Sequence, residues 1–211
     1  MQATRMAIFL LNLGFQDVRI LDGGVQAWNS FINSNEKLYE NLQYQFMVQG
    51  QNSQIQSCDK VFNFQKQDLQ RQTNFKWVIN DLQQINQFLQ DQENYSVISI
   101  RSMNEFNGKE TGYDYIKQKG CIPGAKWGHG GLNSQNMNDF ENIDGTMRAG
   151  NEIEEIWRQN NILRSQNNIF YCGTGWRASQ SLFYAYVLGW KNICLFDGGW
   201  YQWVRSKYYR K

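Results

Sequence analysis

Two kinds of apolar pattern alternate along the chain. Short, predominantly apolar runs at Tyr95 to Ile100, Ile169 to Tyr171 and Ile193 to Phe196 read as buried strands. Between them apolar residues fall at helical spacing. Leu82, Ile85, Phe88 and Leu89 follow an Asn80 or Asp81 N-cap, Ile153, Ile156 and Trp157 share one face of 152–159, and 178–188 continues the pattern. Phe75 to Ile79 is a further candidate strand, and Gly120-Cys121-Ile122-Pro123-Gly124-Ala125 turns tightly into another. Strands alternating with helices predict an α/β fold with a mostly parallel sheet covered on both sides.

Part of this pattern is written twice. At a shift of about 175 residues, Ala3, Leu13, Gly14, Asp22, Gly23, Gly24 and Trp28 fall on Ala178, Leu188, Gly189, Asp197, Gly198, Gly199 and Trp203. Each copy reads as a helix, a Leu-Gly stop, a short strand (Val18 to Leu21; Ile193 to Phe196), an Asp-Gly-Gly turn and a helix carrying Trp. The sequence therefore predicts the C-terminal remnant of a first domain over 1–35, a polar linker with scattered aromatics over 36–74 and a complete domain over 75–211. A remnant of this kind would expose Ile8, Phe9 and Leu11. A helix-strand-helix extension grown on a single domain is the alternative.

Charge and composition narrow the function. The net charge is +2, and no basic stripe points to nucleic acid; 205–211 is only a short basic end. No apolar stretch approaches the ~20 residues that span a bilayer, and Met6 to Leu13 lacks the cleavage site of a signal peptide. Asn and Gln make up about a fifth of the chain but are spread over every segment, so they read as a surface bias that leaves the apolar periodicity intact. Cys58, Cys121, Cys172 and Cys194 form no CxxC pair, which argues against a zinc knuckle or a disulfide framework and favours a reducing, cytoplasmic or mitochondrial setting. No cofactor is called for. His129, the only histidine, has no neighbouring ligands at metal spacing and reads as a loop residue.

The candidate chemistry lies in Cys172-Gly173-Thr174-Gly175-Trp176-Arg177, between a predicted strand and a predicted helix. Backbone N–H groups at a helix start are unpaired and attract negative charge, so a thiolate or a bound anion is favoured there. Gly173 and Gly175 let these amides converge. Several readings stay open. Thr174 donates to the sulfur or merely structures the loop, and Trp176 walls the site or packs in the core. Arg177 clamps an anion or lies on the helix surface, while Arg101, at the end of a strand, binds a donor anion or ties its loop to Glu105. A phosphatase or arsenate reductase loop would place its arginine after five intervening residues. Arg177 comes after four, which points to sulfur rather than phosphate.

Several ordered motifs resemble a rhodanese domain. They are Arg101-Ser102 with Glu105-Phe106 and Gly108, Ile122-Pro123-Gly124-Ala125, the cysteine loop, and Asp197-Gly198-Gly199 with Trp203. The likeness is to two-domain thiosulfate or 3-mercaptopyruvate sulfurtransferases. It covers about 75–205, with 1–30 as the remnant of a non-catalytic first domain. Cys172-Gly173-Thr174-Gly175 is similar to the Cys-Gly-Ser-Gly of the mercaptopyruvate branch, with Trp176-Arg177 where that branch has Val-Thr. Ser99 stands where the family has an aspartate, which bears on the support of Arg101. The resemblance implies a central, mostly parallel five-stranded sheet flanked by helices on both faces. It also implies a double displacement in which Cys172 takes sulfane sulfur as a persulfide from a small anionic donor and yields it to cyanide or a thiol. Arg101, Gly173, Thr174, Gly175, Trp176 and Arg177 would bind that donor. A sulfur-carrying or protein-binding module with impaired catalysis is the non-enzymatic alternative.

Overall fold

The computed structural model describes residues 1–35, 40 and 76–209. The predicted linker over 36–74 lies almost entirely outside the described residues, as do Cys58 and Phe75. The elements are α1 (Gln2–Asn12), α2 (Gly24–Ser34), β1 (Val78–Ile79), α3 (Leu82–Gln90), β2 (Tyr95–Ser99), α4 (Met103–Phe106), β3 (Lys126–Trp127), α5 (Gly150–Gln159), β4 (Asn167–Tyr171), α6 (Trp176–Val187), β5 (Ile193–Phe196) and α7 (Gly199–Trp203). The strands form one parallel sheet in the order β1-β5-β4-β2-β3.

The strand runs are predominantly apolar because both faces of the sheet are covered. Successive side chains point to opposite faces, so Ile98, Phe170 and Leu195 join one core with Ile153 and Trp157 of α5 and Leu182 of α6. Val97, Ile169 and Phe196 join the other, with Ile85, Phe88 and Leu89 of α3 and Trp200 and Trp203 of α7. Asp81 caps α3, its carboxylate accepting from the N–H groups of Gln83 and Gln84.

Two expectations for the N-terminal copy are corrected. Thr4, Ala7, Ile8 and Leu11 recur at helical spacing and are buried, because α1 packs on α6; of the three residues expected to be exposed, Phe9 is, but Ile8 and Leu11 are not. Val18 to Leu21 is not a strand. A strand is held by a ladder partner, and the described residues provide none there, whereas its counterpart β5 lies between β1 and β4.

Candidate active site

Cys172 follows the last residue of β4, the middle strand, at the carboxyl edge where open parallel sheets bind ligands. The residue is fully buried. From it the chain turns through Gly175, in the left-handed region at φ 83°, directly into α6. The loop carbonyls are each held from outside. Cys172 O accepts from Trp200 N–H at 2.8 Å, Gly173 O from Tyr201 N–H at 3.0 Å and Gly175 O from Ser179 N–H at 2.9 Å. Thr174 O accepts from the side chain of Arg5 at 3.2 Å. Among the described residues, the backbone N–H groups from Gly173 to Ala178 have no acceptor. Carbonyls bonded elsewhere and a run of unpaired amides are the elements from which anion-binding loops are built.

The Asp-Gly-Gly turn explains part of this cradle. A Cβ on Gly199, at φ 51°, would stand 2.4 Å from the carbonyl oxygen of Cys172. Only glycine lets α7 begin close enough to hold the carbonyls of Cys172 and Gly173, so the repeated motif is architecture here.

Behind the loop lies a buried charge cluster. Arg177 donates from Nη1 and Nη2 to the two carboxylate oxygens of Glu105 at 2.7 and 2.8 Å. Arg101 Nε donates to Glu105 Oε1 at 3.2 Å, while its Nη1 and Nη2 reach the carbonyls of Gly120 and Thr111. Burial alone would raise the Glu105 carboxyl, but the hydrogen bonds and charge of Arg177, the charge of Arg101 and the Ser102 N–H outweigh it and hold the group below its usual range. Two guanidinium groups thus face one carboxylate, leaving a surplus of positive charge behind the loop.

Both arginines are fully buried. Arg177 is therefore not on the helix surface, and of the roles open to Arg101 the tie to Glu105 is the one observed. Neither lies at the mouth of the loop as a solvent-facing clamp. Ser99 is also buried, and the acidic support of Arg101 comes from Glu105.

Above the loop sits Tyr113, which no sequence pattern marked. A Cβ on Gly173 would fall 2.1 Å from Tyr113 Cε2 and 2.6 Å from its hydroxyl oxygen, so the ring packs on bare backbone. That oxygen accepts from Arg177 Nη2 at 2.9 Å, which leaves the phenolic proton free to be donated. Burial first, then the charge of nearby Cys172, raises the phenol above its ordinary value and keeps it protonated. Thr174 is half-buried, and its hydroxyl has no partner among the described residues. Trp176 is 45% exposed, which excludes the core-packing reading and places it at the rim.

His129 is held at φ 66°, stacked on Trp127 at 3.6 Å, with Nδ1 3.4 Å from Asp139 Oδ2. Its link to the site is indirect, through the Trp127 indole that donates to the carbonyl of Arg101 at 2.8 Å. No cluster able to hold a metal occurs among the described residues. Cys121 is partly buried and Cys194 fully buried.

The model of the rhodanese-like domain matches residues 81–206. This chain belongs to the rhodanese-like family. Thiosulfate sulfurtransferase YnjE of Escherichia coli is 41% identical over 201 residues, which is 95% of this chain and 42% of that protein. Its crystal structure superimposes with a TM-score of 0.72 at 36% identity, covering 96% of this chain and 44% of that one. The sulfur carrier protein TtuD of Thermus thermophilus is 27% identical over 117 residues, 51% of this chain and 38% of the carrier. A structure of EanB carrying a cysteine persulfide, with ergothioneine, matches at 30% identity and a TM-score of 0.72, covering 96% of this chain and 43% of that one. The rhodanese-like chain thus spans less than half the length of these relatives. No helix among its described residues is long and apolar enough to cross a membrane.

Proposed function

We propose that this chain is a sulfurtransferase that moves sulfane sulfur from thiosulfate or 3-mercaptopyruvate to cyanide or a thiol through a persulfide on Cys172. The observation that carries this reading is the cradle of unpaired amides from Gly173 to Ala178 around a buried cysteine. Such a ring suits a large, soft persulfide anion. The cluster of Arg101, Glu105 and Arg177 behind it holds one more cation than anion, and a persulfide in the loop balances that charge. The sulfurtransferase named in Escherichia coli and the persulfide recorded for EanB are chemistry of the same kind on relatives that cover nearly all of this chain.

With thiosulfate, the Cys172 thiolate attacks the outer sulfur. The new S–S bond forms as the old one breaks, and sulfite leaves with the bonding pair. Cyanide then attacks the terminal sulfur, thiocyanate departs and the thiolate is restored. Thr174 and Tyr113 supply side-chain protons to the anionic sulfur or leaving group, Gly173, Thr174 and Gly175 supply amides, and Trp176 bounds the entrance. Arg101 and Arg177 act as fixed positive charge rather than by contact.

Intact mass after thiosulfate treatment tests the reading. The protein gains one sulfur, cyanide removes it as thiocyanate, and Cys172→Ser abolishes the gain. Phosphate-ester hydrolysis without any sulfur gain would overturn the reading. Loading without turnover would support the carrier alternative, for which TtuD is a named relative.

A further inference from the structure

Of the four carbonyls that shape the cysteine loop, three are held by backbone N–H groups of the matched domain. The fourth, Thr174 O, is held by the Nη1 of Arg5, a residue of α1 that lies well before the matched segment. The same guanidinium donates from Nη2 to Asp197 Oδ1 at 2.7 Å and lies 4.8 Å over the ring of Trp176. A planar fork can meet the carbonyl and the carboxylate at once while stacking on an indole, which a lysine ammonium cannot do. The surroundings are close-fitting: a Cβ on Gly175 would stand 2.6 Å from Arg5 Nη1 and 2.4 Å from Asp197 Oδ1.

The contact fixes more than one oxygen. In a trans peptide the C=O and the following N–H point in opposite directions. Holding Thr174 O outward therefore turns the Gly175 N–H inward, into the cradle of unpaired amides. We propose that Arg5 is a positioning residue of the Cys172 site, and that the N-terminal segment completes the amide cradle through it. This inference rests on the reading of Cys172 as the sulfur-accepting nucleophile, but its test is independent of turnover.

The experiment uses the full chain and three variants, Arg5→Met, Arg5→Lys and Asp197→Asn. Peptide-level mass spectrometry follows iodoacetamide alkylation of Cys172 across a pH series, alongside sulfur gain from thiosulfate and thermal unfolding by circular dichroism. Arg5→Met keeps an unbranched apolar stem and loses both donors. Its Cys172 alkylation profile moves to higher pH, and the rate at neutral pH falls about tenfold, less than the roughly hundredfold cost of removing a whole oxyanion-type donor because the Gly175 N–H is turned rather than lost. Arg5→Lys recovers part of the rate. Asp197→Asn, which loosens the ion pair but keeps the donor to Thr174, moves the profile less than Arg5→Met does. A folded Arg5→Met protein with the wild-type profile overturns the proposal, whatever the sulfur assay gives. A shifted profile in protein whose wild type takes up no sulfur upholds the role of Arg5 and overturns the donor reading instead. Should Arg5→Met not fold, the remaining pair decides: a larger shift in Asp197→Asn than in Arg5→Lys assigns the effect to the ion pair and overturns the proposal.

Discussion

Arg177 and Glu105 form a two-point ion pair, with both nitrogen–oxygen distances between 2.7 and 2.8 Å and neither side chain exposed. The pair joins the start of α6, directly after the cysteine loop, to α4, which follows β2. Glu105 also closes the capping box of α4, taking the Ser102 N–H while its own N–H reaches the Ser102 hydroxyl. One carboxylate therefore serves a helix cap, two guanidinium groups and the floor of the site.

Glu105→Gln removes the anion and leaves two buried guanidinium groups facing each other. The expected loss is about 3–5 kcal/mol of stability, the usual cost of breaking a buried pair on one side. Chemical denaturation of the wild type and the variant measures it. The pH dependence carries a definite sign. Because the folded-state carboxyl is held below its ordinary range, its contribution is present in full above that range and is lost as pH falls through the lowered value. The stability gap between the proteins should therefore narrow on acidification and stay flat from neutral to mildly alkaline pH. A gap that widens in acid would contradict the assignment.

Gly173→Ala puts a methyl group into the ring of Tyr113, 2.1 Å from Cε2. Backbone on one side and a buried phenol on the other leave little room to relax, so the substitution costs about 1–3 kcal/mol as overpacking. It also displaces the hydroxyl from Arg177. Sulfur uptake from thiosulfate should fall with it, and the double variant Gly173→Ala/Tyr113→Leu should regain stability relative to Gly173→Ala by giving the methyl space. Equal stability of the two would show that Tyr113 does not pack as described.

The strands of the sheet and the cysteine loop were legible because local chemistry determines them. Tyr95 to Ser99 and Ile193 to Phe196 are apolar on both faces, Asp81 carries an N-cap side chain immediately before a periodic run, and Cys172 to Arg177 combines a thiol, two glycines and a strand-to-helix change. Tyr113 and Arg5 were not legible. Tyr113 lies in an aperiodic stretch between α4 and β3 and meets Gly173 only through the fold, and Arg5 reaches its carbonyl across 169 residues of chain. The glycines at 173 and 175 signalled that something packs against the loop, yet carried no information about what. Burial of Ile8 and Leu11 was missed for a related reason: the partner face on α6 is a tertiary fact, and periodicity shows that a helix has an apolar side without naming its neighbour.

Tyr113→Phe isolates the hydroxyl from the ring. The phenylalanine keeps the packing on Gly173 and deletes the acceptor of the 2.9 Å bond from Arg177 Nη2. Leaving that buried donor unsatisfied costs about 1–3 kcal/mol. If the free phenolic proton assists the sulfur or the leaving group, sulfur uptake slows by roughly tenfold or more, and the loss appears in the maximal rate rather than in the thiosulfate concentration for half-saturation. A variant that is destabilised but loads sulfur at the wild-type rate would leave Tyr113 as a structural partner of Arg177.

Thr174→Val asks the complementary question of a group with no structural partner. The Thr174 hydroxyl has no hydrogen bond among the described residues, and the residue is only half-buried, so valine of nearly the same shape should change stability by less than about 0.5 kcal/mol. Its neighbours on either side are glycines whose amides line the cradle, which places the hydroxyl among the donors proposed for the persulfide and for the departing sulfite. Loss of one such donor from a preorganised site slows the step by roughly a hundredfold, the low end of what oxyanion donors supply. Thr174→Ser, which keeps the hydroxyl and drops the methyl, should restore most of the rate. Single-turnover mass measurements with thiosulfate read the first half-reaction alone, and thiocyanate release reads the second. A defect confined to the first assigns the hydroxyl to sulfite departure, a defect in both assigns it to the sulfur anion, and wild-type rates in both would remove Thr174 from the chemistry.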